Sequence, residues 1–140
     1  MKIIYTDMVG DLFHKGHVNL LRRASLLGDK LIVGVHSNKS VESYKRVPIC
    51  NLEERVSVIE VCKYVDKVIP NAPLKITEEF INEHNIDIVV HAHDKSDTSQ
   101  NNFFEIPMRL GKFLRLEYTN DISTTNIIER CKNRIDLDNN

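Results

Sequence analysis

Lys30-Leu-Ile-Val-Gly-Val-His36 is the stretch that decides the fold. It is short, rich in β-branched residues and apolar at almost every position, so a strand built from it is buried on both faces. Strands of parallel sheets are buried in that way, whereas strands with one wet face alternate polar and apolar residues. Upstream, residues 2–6 (KIIYT) form another β-branched and aromatic run. Between the two runs, residues 17–27 place Leu20, Leu21, Ala24 and Leu27 at helical spacing, and Gly28 ends the pattern. A strand, a crossover helix and a second parallel strand result.

Downstream the alternation continues. Residues 37–50 are polar and basic and read as a loop. Asn51 and Glu54 make a capping-box start, followed by a helix face of Leu52, Val56, Ile59 and Cys62. Residues 64–69 predict a third strand, stopped by Pro70, and residues 76–84 a helix with Thr77 near its start. Residues 86–91 (IDIVVH) predict a fourth strand, 92–101 a polar loop, 103–110 a helical stretch containing Pro107, and 113–118 a fifth strand. Residues 123–134 form a last helix with Ile127, Ile128 and Cys131 on one side. This order predicts the α/β class: a Rossmann-like, doubly wound parallel sheet of five strands with helices on both faces. Ligands of such sheets bind beyond the carboxyl ends of the strands, at a switch point. The polar segments after strands one, two, four and five are therefore expected to line a site.

Length and composition bound the rest. The 140 residues fit a single domain, 1–140, with no repeat, linker or low-complexity segment. Hydrophobic residues make up 41% and charged ones 28%, the balance of a soluble globular chain. Lys and Arg number 19 against 20 Asp and Glu, a net charge of −1. A general nucleic-acid binder needs a basic excess and is excluded; a local basic pocket for a small phosphate is not. The apolar runs are too short for membrane insertion, and MKIIYTD lacks the apolar core of a signal peptide. Cys50, Cys62 and Cys131 fit neither a zinc pattern nor a disulfide framework and point to a reducing, cytoplasmic setting.

Two motifs carry chemistry. After strand one comes Asp11-Leu-Phe-His-Lys-Gly-His17, with two histidines three apart on one side of a turn entering a helix. Gly16 lets a phosphate approach the backbone, the free N–H groups of the helix end favour an anion, and the imidazoles add donors. Taken alone, HxxH favours a pair of surface histidines at a helix cap. Two histidines are also common metal ligands, but no supporting carboxylate motif accompanies them. The second motif is Ile122-Ser-Thr-Thr-Asn126, where Ser123 caps a helix and three hydroxyls stand at its positive end. A well-capped helix needs no more than that. Both motifs at the first and last crossovers of one α/β domain point to a phosphate-binding site.

DLFHKGHVNLLRRA (11–24) resembles the HxGH signature of the cytidylyltransferase superfamily, and ISTTNIIER (122–130) resembles its late ISTT motif. YKRVPICNLEERVSVIEVCKYVDKVIPNAP (44–73) is similar to the basic loop and following helix of choline-phosphate and ethanolamine-phosphate cytidylyltransferases. The likeness runs from about Lys2 to Arg134. It implies transfer of CMP from CTP to a small phosphorylated alcohol, with Mg2+ bound mainly through the CTP phosphates, and a homodimer. It also implies site residues. His14 and His17 would contact the triphosphate and stabilise charge at the α-phosphorus, with Lys45 as the third catalytic group. Val9, Gly10, Asp11, Gly16, Arg55, His91, Asp94, Ser123, Thr124 and Thr125 would bind the nucleotide. Asp11, Lys45, Arg46, Arg55 and Asp94 would meet the substrate.

The sequence departs from the family pattern in two places. Met8-Val-Gly-Asp11 stands where the family has Gly-Thr-Phe-Asp or Gly-Ile-Phe-Asp, and Tyr118-Thr-Asn-Asp121 where it has Arg-Thr-x-Gly. The second change removes one cation from the phosphate pocket. Phosphoethanolamine and phosphocholine lead as acceptors, with glycerol phosphate or a phosphonate as variants. An adenylyltransferase of the same superfamily and a non-catalytic nucleotide-binding module are the alternatives. Residues 91–102, carrying Asp94 and Asp97, are expected to select the head group.

Overall fold

The computed structural model describes residues 1–93, 101–117, 122–134 and 136. Five strands form one parallel sheet: β1 (Ile3–Met8), β2 (Lys30–Val35), β3 (Lys67–Pro70), β4 (Ile88–His93) and β5 (Phe113–Glu117). Their order is β3-β2-β1-β4-β5, so the winding reverses between β1 and β4. Among the described residues six α-helices connect and follow them: α1 (Lys15–Ser25), α2 (Asn38–Glu42), α3 (Leu52–Ile59), α4 (Glu78–Glu83), α5 (Glu105–Arg109) and α6 (Thr124–Lys132). The expected doubly wound α/β fold is present.

The pleat divides the core in two. Ile4, Leu31, Val33 and Val35 face Leu21 and Ala24 of α1 and Ile59 of α3. Tyr5, Ile32 and Val89 face the opposite way, toward Ile76, Ile81 and Phe104. Successive side chains of a strand point to opposite faces, so an all-apolar β2 feeds both clusters at once. Gly34 is required there: a Cβ at that position would lie 2.0 Å from the Tyr5 hydroxyl.

Two expectations change and a third finds its reason. The stretch 37–50 is not all loop, because Ser37 caps α2 through a bond from Ser40 N at 3.1 Å and Val41 is buried beneath it. Pro70 does not stop β3 but ends it from within; β3 is an edge strand, where a missing N–H leaves no ladder bond unmade. Pro107 sits in the first turn of α5, where helices tolerate proline, so α5 forms around it.

Candidate active site

A cavity of about 590 Å³ opens at the carboxyl ends of the strands, at the point where the winding reverses. Asp7 to Asp11 line it from the end of β1, and His36 with Tyr44 to Pro48 from the segment after β2. His91 and Ala92 come from β4, Phe103 and Phe104 from the turn before α5, and Ser123 to Thr125 from the start of α6. The segments after strands one, two, four and five thus meet at one place.

The histidine turn is built by reciprocal capping. Gly10 (φ 69°) and Leu12 (φ 49°) swing the chain from β1 toward α1. His14 is the N-cap of α1, and its Nδ1 accepts from Gly16 N at 3.0 Å. His17 Nδ1 in turn accepts from His14 N at 3.0 Å. This is a capping box in which imidazoles replace the usual hydroxyl and carboxylate. A ring that accepts at Nδ1 and is neutral carries its proton on Nε2. Both rings are therefore held as Nε2–H donors. His17 faces the cavity, and His14 Nε2 lies 3.4 Å from the Thr124 hydroxyl. Gly16 lies behind the cavity wall; its missing Cβ makes room for the His14 ring, whose Cε1 would be 2.8 Å away. The structure thus gives Gly16 a packing role.

The environment keeps both rings uncharged. Burial, then the neighbouring His14, lower the His17 pKa to about 3; Lys45 adds to the lowering and Asp11 opposes it. Burial lowers the pKa of His14 as well. Among the described residues that line the cavity, positive charge at neutral pH comes from Lys45 and Arg46. Arg46 donates to the Thr125 hydroxyl at 2.8 Å, which ties the loop after α2 to the start of α6. Thr124 donates to Asp11 O at 3.1 Å, and Ser123 caps α6 by accepting from Asn126 N at 3.0 Å.

Arg55 and Asp11 are placed differently from the sequence expectation. Arg55 is 2% exposed and lies beneath the cavity. Its guanidinium donates to Val9 O (2.6 Å), His36 O (2.8 Å), Cys50 O (3.1 Å) and Asn38 Oδ1 (2.6 Å). Four of its five N–H donors are thereby engaged within the protein, which leaves it a brace rather than a ligand for nucleotide or phospho-alcohol. Burial lowers its pKa, and the Asp11 charge is the largest influence in the other direction. Asp11 does line the cavity, but its carboxylate oxygens accept from Ile49 N (2.7 Å) and Cys50 N (2.9 Å). Asp94 and Asp97 lie outside the described residues.

Asp7 and His36 were not picked out by the sequence reading. His36 Nε2 lies 3.2 Å from Asp7 Oδ2, and His91 Nδ1 lies 4.0 Å from Asp7 Oδ1. All three line the cavity, and Asp7 is 6% exposed. The available signal was a carboxylate near the carboxyl end of a buried strand, where ligands of such sheets bind.

A family model described as cytidylyltransferase-like matches residues 10–130. The chain belongs to this cytidylyltransferase-like family. It is 40% identical over 135 residues to a probable ethanolamine-phosphate cytidylyltransferase of Encephalitozoon cuniculi, covering 94% of this chain and 42% of that protein. It is 37% identical over 139 residues to choline-phosphate cytidylyltransferase A of Rattus norvegicus, covering 96% of this chain and 37% of the relative. The chain thus spans about two fifths of the length of these cytidylyltransferases. Its fold is also that of the lipopolysaccharide core biosynthesis protein from Thermoplasma volcanium GSS1. That match has a TM-score of 0.71 at 24% identity and covers 86% of this chain and 99% of the other.

Proposed function

We propose that this cytidylyltransferase-like chain transfers CMP from CTP to a small phosphorylated amino alcohol, of the phosphoethanolamine or phosphocholine type, releasing pyrophosphate. The observation that carries this reading is the convergence in one cavity of His17, which caps against the buried His14 behind it, the hydroxyls of Ser123 to Thr125, and the cations Lys45 and Arg46. An acceptor phosphate is already a nucleophile, so no serine or cysteine need be activated. One of its oxygens attacks the α-phosphorus of CTP, the bond to the bridging oxygen of the β-phosphate breaks, and pyrophosphate departs. The chain then has to position two anions and stabilise the charge that develops on the transferring group. Neutral Nε2–H donors and the α6 hydroxyls suit the transferring phosphoryl; Lys45 and Arg46 suit the departing pyrophosphate.

The described part of the cavity wall pairs hydroxyl donors with two carboxylates, and Asp11 is already engaged by backbone. That set fits Mg2+ arriving on the triphosphate, held chiefly by phosphate oxygens and water. When bound, the ion would neutralise triphosphate charge. Asp7 and Asp11 are the carboxylates among the described lining residues. Asp11 is held by backbone and Asp7 lies 3.2 Å from His36 Nε2, so the ammonium head group stays with Asp94 in this reading. The reading includes a homodimer, for which Ile49, Val58 and Val61 leave apolar side chains in solvent. It also includes a cytoplasmic location: the three cysteines are unpaired, and no helix among the described residues is long and apolar enough to cross a membrane.

The test is a panel pairing each nucleoside triphosphate with phosphoethanolamine, phosphocholine, glycerol phosphate and a phosphonate, read by pyrophosphate release. CTP with an amino alcohol phosphate should lead. Equal turnover with ATP and CTP would sink the cytidylyl assignment. Glycerol phosphate as best acceptor would remove the head-group argument and leave the transfer chemistry standing.

A further inference from the structure

We infer that Asp11 and Arg55 are positioning residues: together they clamp the Ile49–Cys50 segment and thereby set where the strap 43–50 carries Lys45. The inference rests on the transferase reading for its activity readout, but the clamp itself is a matter of geometry.

The strap begins where α2 ends. Tyr44 N and Lys45 N both donate to Val41 O, at 3.1 and 2.9 Å, and Val41 is buried. It ends at the capping box of α3, where Asn51 and Glu54 bond each other's backbone N–H at 2.9 Å. Just before that box, the two Asp11 oxygens hold the N–H groups of Ile49 and Cys50, and Arg55 Nε holds the Cys50 carbonyl. Asp11 is itself fixed in the turn after β1. The same guanidinium grips Val9 O and His36 O, at the carboxyl ends of β1 and β2. The far end of the strap is thus bolted to the rigid edge of the sheet from which the cavity opens. Lys45, at the first anchor, and Arg46 and Val47 beyond it are exposed and line the cavity, and Arg46 is also tied to the Thr125 hydroxyl at 2.8 Å.

The choice of partners separates this role from ligand binding. Asp11 accepts from main-chain N–H groups of a segment 38 and 39 residues away, and Arg55 donates to three carbonyls from three different parts of the chain. A carboxylate and a guanidinium satisfied by backbone fix loop geometry. They act on a substrate through the residue the loop carries, here Lys45. A displacement of about 1 Å in such a group can lower turnover roughly 10²-fold.

The experiment has two arms. The first is a double-mutant cycle in the full chain, measuring kcat/KM for Asp11→Asn, Lys45→Ala and the pair. Asp11→Asn alone should lower kcat/KM by roughly tenfold to a hundredfold, and this loss should vanish in the Lys45→Ala background, since coupled positions are non-additive. Additive losses would mean that Asp11 meets the substrate itself, and unchanged kcat/KM in Asp11→Asn would mean that the clamp does not place Lys45; either overturns the inference. The second arm is amide hydrogen exchange, which needs no activity. In the unaltered protein the Ile49 and Cys50 amides should be protected, and Asp11→Asn should accelerate these two while the amides of β1 and β2 keep their rates. Exchange of Ile49 and Cys50 at the rate of an unstructured peptide in the unaltered protein would refute the clamp even if a variant failed to fold. If the protein turned over no substrate pair, the transferase reading would fail, and the exchange arm would still decide the clamp.

Discussion

Lowering the pH toward 5 should destabilise this protein through His17. The ring accepts a backbone N–H at Nδ1, and burial with a neighbouring imidazole brings its pKa from the ordinary 6.5 to about 3. Between those values the unfolded chain binds the proton and the folded chain does not. Stability is then fully present above pH 6.5 and is lost as the pH falls toward about 3. One such proton is worth about 1.4 kcal/mol per pH unit, so the fall from pH 6.5 to pH 5 should cost about 2 kcal/mol. His14, also lowered, contributes with the same sign. Other groups titrate in this range, so the comparison must isolate the ring. His17→Asn does so, because its side-chain oxygen can accept the His14 N–H and does not titrate. Urea unfolding followed by circular dichroism at pH 7.5, 6.5, 5.5 and 5.0 gives the stability of both proteins. The advantage of the native protein over the variant should shrink by about 2 kcal/mol from pH 7.5 to 5. Parallel curves would show that His17 titrates like a free imidazole, and the neutral-donor account of the site would be wrong.

Replacing His14 or His17 with alanine should lower turnover roughly 10²–10³-fold, the scale for loss of one donor to developing charge; near-normal kcat in His17→Ala at saturating CTP would remove it from the chemistry. Gly16→Ala should push the His14 ring off its cap, since the new Cβ would lie 2.8 Å from Cε1; kcat should drop, and melting should fall by the equivalent of about 1 kcal/mol for a damaged cap, so unchanged kcat and Tm would speak against the packing described. Sedimentation at micromolar concentration should give a dimer, and a monomer alone would contradict that part of the proposal.

Most of the fold was legible because the periodicities that specify it are local. An apolar β2 and a helical repeat at Leu20, Leu21, Ala24 and Leu27 require only neighbours in sequence to be read. The position of the cavity followed from topology. What stayed hidden depends on partners far along the chain. Arg55 stands beside charged residues in NLEER and reads as an exposed cation, but it is buried by carbonyls at positions 9, 36 and 50. Asp11 reads as a ligand because nothing local announces that Ile49 and Cys50 will bring their N–H groups to it. The short α2 was missed because five residues with one buried valine make too little pattern. Asp7 was visible in sequence, and its meaning needed the strand order.

The division of charge at the cavity has a physical logic that neither motif states alone. Both proposed substrates are anions, yet the histidines nearest the helix end are uncharged. An imidazolium there would need its Nδ1 proton where a backbone N–H already points, and would have to be buried beside a second ring. A neutral ring fixed by its cap offers the same Nε2–H donor without that penalty, and it is in place before any phosphate arrives. Positive charge is placed instead on the exposed strap, where Lys45 and Arg46 are solvated. There a cation causes little strain in the folded protein and can still approach a polyphosphate. Geometry then comes from the turn and charge from the strap. The turn is rigid because its backbone N–H groups are satisfied by its own imidazoles; the strap is useful only if its ends are fixed. That requirement is why a carboxylate and an arginine that look like ligands are found holding backbone instead.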